Sequence, residues 1–342
     1  MTDAGDRSEP QTEPGRDPGA HGPARPALVE EQPDSAPAVR TLPAWAGVLV
    51  GLGAAVVGLL PWLVAGMRLP LQNLWAFETM PDRMPLVLLP FSQYALTSIV
   101  GLIVTGSVVA GLLARILRPR MPRLGFAGLV VGLLATQGVA VLQTAVTVNG
   151  GLRGGAESAL YLTGLVALSV FSMLIGLLMF WLVARAPRAG ALIGLSFGAI
   201  AVGFWLGTLL HPIGSVITYD TAWISAVLRW TPAILVGASI AWCGLGTAGR
   251  VIAAIASLVV LWIAPALATA VSAAVGSRVL ARRLDEMLDY GIGVFTAAST
   301  IPELVFPPLI VAVVVAAVGL VARALLARRS RGREREPGDE LG

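Results

Sequence analysis

The chain has 342 residues, of which 56% are hydrophobic and only 13% charged. Soluble domains carry about 25% charged residues, so this composition excludes an ordinary soluble globular protein. The formal net charge of +4 is not a nucleic-acid footprint either, because the arginines sit at the ends of apolar runs and not in one basic patch.

All 24 basic residues are arginine, and with 39 glycines and 23 prolines this points to a GC-rich coding genome. Residues 1–41 hold eight acidic residues, four arginines and seven prolines. Such a segment buries too little apolar surface to offset the entropy of ordering, so it reads as a disordered cytoplasmic tail. No basic region followed by a short apolar core marks a signal peptide, and the first apolar run begins near Ala44.

From there apolar runs recur at about 44–66, 91–114, 124–146, 160–184, 189–210, 223–247, 251–275 and 307–326, each near the roughly 20 residues that cross a hydrocarbon core. The expected fold class is all-α: a polytopic transmembrane helix bundle of about eight spans. The transmembrane domain covers 42–326, and 327–342 forms a disordered, arginine-rich cytoplasmic tail suited to anionic lipid.

Orientation follows from arginine. Fourteen fall on one side: Arg40, the links after the second, fourth and sixth spans, and the C-terminal end. Seven fall on the other, and this bias sets both termini in the cytoplasm of a plasma-membrane protein. The eight acids outside the tails, Glu78, Asp82, Glu157, Asp220, Asp285, Glu286, Asp289 and Glu303, all fall on the expected outer side. Tyr94, Tyr161, Tyr219 and Tyr290 fall at outer helix ends or links, where a ring with a hydroxyl favours the interface.

In the fifth span Gly190, Gly194 and Gly198, then Gly203 and Gly207, form small-residue rows that let neighbouring helices approach, which suits a central position. Shorter rows, Gly47–Gly51–Ala55 and Gly128–Gly132, are what a chain this rich in glycine produces by composition. In SRVLARRLDEMLDYG, Leu280, Leu284 and Met287 share a face, and Arg282 is placed to pair with Glu286. This reads either as an amphipathic helix on the outer surface or over the bundle mouth, or as an extension of span seven. Thr300 and Glu303 have capping-box spacing ahead of span eight, and Pro307 and Pro308 should kink or restart it.

No Asp, Glu, Lys or His falls near the middle of a span, which disfavours a proton relay. The chain carries no phosphate-binding loop, HExxH helix, CxxC pair or GxSxG elbow, so neither a cofactor nor a metal is expected and an enzyme is disfavoured. The lone Cys243 reads as a small hydrophobe. Gln137 and Gln143 are the notable amides within spans, since an amide in hydrocarbon needs a partner or a polar cavity.

The candidate outer-side site comprises His211, Asp220, Arg229 and Glu303. Each has a plain structural explanation: His211 as a helix end before a proline, Asp220 as an N-cap, Arg229 as a snorkelling side chain, Glu303 as a first-turn acid. Three functions fit: a permease-like small-molecule or lipid translocator, a scaffold or accessory subunit with protein partners or a second copy, and an enzyme at the outer face. Membrane lipids are partners under all three.

Reporter fusions at residues 118 and 186 should report the cytoplasm, and those at 153 and 285 the opposite side. Residues 118 and 153 on one side would exclude the eight-span topology.

Overall fold

The computed structural model describes residues 42–211, 222–277 and 283–333. Among them are nine α-helices and no strand: α1 Ala44–Val64, α2 Leu96–Leu117, α3 Arg123–Gly151, α4 Ala156–Arg185, α5 Arg188–Leu210, α6 Ala222–Cys243, α7 Ala248–Gly276, α8 Leu284–Thr300 and α9 Pro302–Arg333. All but α8 are long and apolar enough to cross a membrane, so the chain is an all-helical multi-pass membrane protein. Residues 1–41 and 334–342 and Asp220 lie outside the described residues, as does the expected partner of Glu286, Arg282, while Glu286 pairs with Arg283; residues 327–333 of the expected C-terminal tail are instead the helical end of α9.

Small residues set the closest helix contacts. A Cβ added at Gly47 would lie 1.9 Å from the Gly125 carbonyl oxygen, at Gly51 2.0 Å from that of Leu129, and at Gly132 2.2 Å from that of Val48. The rows expected from composition alone therefore hold α1 and α3 backbone to backbone. The α5 row also serves packing: Gly194 meets Val183 and Gly198 meets Val108, while Gly207 faces open space. As expected, α5 is central, touching α1, α2, α4, α6 and α7.

Contact order gives direction. Gly190 and Gly194 meet α4 in reverse order, and Gly203 meets Pro232 of the antiparallel α6. Consecutive spans alternate, so the links after α2, α4 and α6 share a face with the start of α1 and the end of α9. That is the arginine-rich face, and the described acids gather at the opposite, acidic face.

Two segments differ from expectation. Span two was expected from about residue 91, but α2 begins at Leu96. The preceding apolar stretch is non-helical and fully buried at Val87, Leu89 and Phe91. Its polar groups are met by side chains. Gln143 Oε1 accepts from Leu88 N–H at 3.0 Å and Gln143 Nε2 donates to Leu86 O at 3.1 Å. Thr144 Oγ1 accepts from Leu89 N–H at 3.0 Å, and Trp62 Nε1 donates to Val87 O at 2.8 Å. Non-helical backbone survives beside apolar helices only with such partners.

The second difference is α8. It neither lies flat on the surface nor extends α7. It folds back along α7, with Gly291 against Ala274 and Trp262 Nε1 donating to Ser299 O at 2.9 Å. Trp262 is at the middle of α7, so α8 enters from the acidic face and stops about halfway down its neighbour. Thr300 ends α8 with its hydroxyl turned back to Thr296 O at 2.6 Å, so the expected capping box does not form. After Ile301 the chain restarts as α9, parallel to α6, with Gly237 beside Val315 and Ala241 beside Gly319.

Gly132→Leu should lower the melting temperature in detergent by an overpacking cost of about 1–3 kcal/mol or more, because its neighbour is backbone that has nowhere to move. Gly138→Leu on the same helix meets nothing within 4 Å and should melt like the parent. Equal melting of the two would show that the α1–α3 contact is not the close one.

Candidate functional site

Three helices of the acidic half carry the same five-residue pattern: Leu228 to Pro232 in α6, Leu261 to Pro265 in α7 and Leu304 to Pro308 in α9. Proline has no N–H, so within a helix it leaves the carbonyl four residues earlier without its usual donor. All six of these residues line one cavity of about 480 Å³. The wall is completed by α5 residues including Phe204 and Thr208, by Thr97 and Ser98 at the start of α2, and by Ala298 near the end of α8. The cavity thus sits where α8 stops and α9 restarts. Its surface is mainly apolar, with hydroxyls of Thr97, Ser98, Thr208 and Thr269, and the guanidinium of Arg229. Two of the hydroxyls turn to their own helices, Thr208 to Phe204 O at 3.1 Å and Thr269 to Pro265 O at 2.9 Å.

Arg229 holds the break together. It lies seven residues into α6, about 10 Å along the axis at 1.5 Å per residue. Its Nη2 donates to the Glu303 carbonyl oxygen at 2.6 Å. That carbonyl is the one whose helical donor Pro307 removes, so the arginine of α6 supplies a hydrogen bond that α9 lacks. The guanidinium also lies 5.0 Å from the centroid of the Trp230 ring, within cation–π range.

The sequence-derived candidates are only partly gathered. Arg229 and Glu303 meet, but through the main-chain oxygen and not the carboxylate. Glu303 also lies deeper than an outer link, in the first turn of α9 and level with the interior of α6. His211 is the residue after α5, its N–H bonded to Gly207 O at 2.9 Å, and it does not line the cavity. Gln137 and Gln143 lie away from it as well. Gln137 is buried between α3 and α2, with Nε2 donating to Ile103 O at 2.9 Å and Ser107 Oγ at 3.2 Å, while its Oε1 has no partner. Gln143 holds the non-helical segment before α2. Among the described residues no three His, Cys, Asp or Glu side chains come together as a metal site would require.

The chain matches no family model, no curated protein and no solved structure. The threefold Leu-x-x-x-Pro pattern was the signal for the cavity that reading the charged residues alone overlooked.

The Arg229–Glu303 bond and Pro307 should be coupled. Arg229→Gln should cost about 1–2 kcal/mol in thermal stability, as expected for a partly exposed charged hydrogen bond. In a Pro307→Ala background residue 307 regains its N–H, Glu303 O regains a helical donor, and the Arg229→Gln cost should shrink. Strict additivity in this double-mutant cycle would show that the arginine does not answer the carbonyl that proline frees.

Proposed function

We propose that the protein is a permease-like translocator of small amphiphilic molecules or lipids in the plasma membrane, with the arginine-rich face in the cytoplasm. The observation that carries this reading is the cavity at the α8–α9 break. Membrane transporters commonly place substrate sites where helices are interrupted, because irregular backbone is tolerated there only if protein or a cavity surrounds it. Proline in each of α6, α7 and α9 at the cavity wall supplies points where these helices can bend.

The lining narrows the cargo. Mostly apolar walls with a few hydroxyls suit an amphiphile. Among the described residues Arg229 is the only ionic group lining the wall, so an uncharged or anionic molecule fits better than a cation. A scaffold would not need this space, and an enzyme at the outer face would need His211 near carboxylates, an arrangement not found among the described residues.

The test is access from both sides. Cys243 is the only cysteine, so Cys243→Ala gives a background for single cysteines at Thr208, toward the acidic face, and at Ile200, deeper on α5. In a translocator, a membrane-impermeant thiol reagent should label Thr208→Cys from the outer side. It should label Ile200→Cys from either side, in right-side-out and in inverted vesicles. Labelling of both only from the outside would make the cavity a one-sided binding pocket and overturn the translocator reading.

A further inference from the structure

At the arginine-rich end of α6 several guanidinium groups converge on a few residues. Arg323 of α9 donates through Nη1 to Ala241 O, and to Trp242 O at 2.8 Å. Arg115 of α2 lies 5.2 Å from the centroid of the Trp242 ring, while its Nη1 donates to Val183 O at 2.7 Å and Ala186 O at 3.2 Å. Arg250 at the start of α7 reaches to 3.8 Å from the Cβ position of Gly246. Arg188, at the start of α5, belongs to the same arginine-rich face. Three arginines from three helices therefore surround the end of α6, and Arg188 adds charge on the same face.

Two helix C-termini offset part of this charge, since the last carbonyls of α4 and α6 accept from Arg115 and Arg323. Each helix end supplies only about half a negative charge, and no described acid lies at this end of the bundle. A net positive centre remains. It is also not isolated from the apolar surface. A groove of about 490 Å³ runs from Arg323 and Trp242 along the α6–α9 seam, past Ala238, Val314, Val318 and Gly319. Its walls are almost wholly apolar, and Trp242, Val314 and Val318 are exposed within it.

From this charge complementarity we propose that the α6–α9 groove is a binding site for one anionic glycerophospholipid of the cytoplasmic leaflet. An acyl chain lies in the groove, and the phosphate rests on the guanidinium nitrogens of Arg323 and Arg115 not engaged with carbonyls, with Arg250 and Arg188 adding charge. Guanidinium is suited to this, because its planar fork can hold a helix carbonyl with one arm and a phosphate with the other. The site is separate from the cavity at the α8–α9 break and does not depend on the translocator reading.

The test is lipid binding by the purified full chain in detergent, with native mass spectrometry counting bound lipid and thermal shift reading its effect. The probes are phosphatidylglycerol, phosphatidylcholine and glycerol 3-phosphate. Phosphatidylglycerol should bind and raise the melting temperature, and phosphatidylcholine should do neither. Arg250→Gln with Arg188→Gln, which leave the carbonyl contacts of Arg115 and Arg323 in place, should weaken phosphatidylglycerol binding about tenfold or more. Val318→Trp, on the groove wall, should abolish it without removing charge. Arg120→Gln with Arg123→Gln, two charges toward the start of α3, should leave it unchanged. An equal loss in this control pair would reduce the effect to general surface charge and overturn the site. Full competition by glycerol 3-phosphate, or binding untouched by Val318→Trp, would overturn the acyl-chain part and leave a free-anion site.

Discussion

The constraint on which this architecture depends is the fate of carbonyl oxygens that a proline or a helix end leaves without a donor. In hydrocarbon such an oxygen has no water to turn to and must be answered by protein. Three times the answer comes from a side chain of another helix. Trp205 Nε1 donates to Val57 O at 3.1 Å, freed by Pro61. Arg115 Nη1 donates to Val183 O at 2.7 Å, left open where α4 ends. Arg229 Nη2 donates to Glu303 O at 2.6 Å, freed by Pro307. Each bond links helices distant in sequence, α5 to α1, α2 to α4 and α6 to α9. In an interior where burial of apolar surface gives no advantage over lipid, directional bonds of this kind specify which helices are neighbours.

The same rule explains two features that would otherwise look unfavourable. The non-helical segment through Leu89 is fully buried beside membrane helices, yet Gln143, Thr144 and Trp62 meet its backbone from helix ends. The end of α8 stops against the middle of α7, and Trp262 answers one of its last carbonyls. Tryptophan is suited to this role, since its body packs as a hydrophobe and its single N–H reaches a carbonyl.

The eight spans were legible in the sequence because length and hydropathy alone define them, and the arginine and acid distribution separated the two faces. The start of α2 was not legible. Hydropathy measures apolar character and not conformation, so the non-helical stretch from Phe91 to Ala95 read as the head of a span. The placement of α8 was hidden for a related reason: its charged first turn, with Asp285 and Glu286, has the composition of a surface helix, while its burial partner on α7 is fixed only by the fold. Of the candidate site, Arg229 was legible from its odd position in an apolar helix. Its partner was not, because the receiving atom is a main-chain oxygen whose need arises from Pro307. His211 attracted attention by rarity, and rarity carries no information about geometry.

The bundle is uneven in a way that bears on motion. In α1–α4, helices meet through glycines at backbone distance, and the most apolar stretch of α2 is 67% buried. On the other side, the corresponding stretch of α9 is only 11% buried, and α6, α7 and α9 all carry internal proline. Close-packed interfaces of small residues resist displacement, because every shift brings backbone into collision. Helices with missing hydrogen bonds and a chain break beside a cavity bend at lower cost. On the proposed reading, α1–α4 with α5 form the fixed part, and opening of the cavity falls to α6–α9. The Arg229–Glu303 bond crosses that mobile side from α6 to α9, so these two helices would move as a pair, with α7 and α8 as the element they move against.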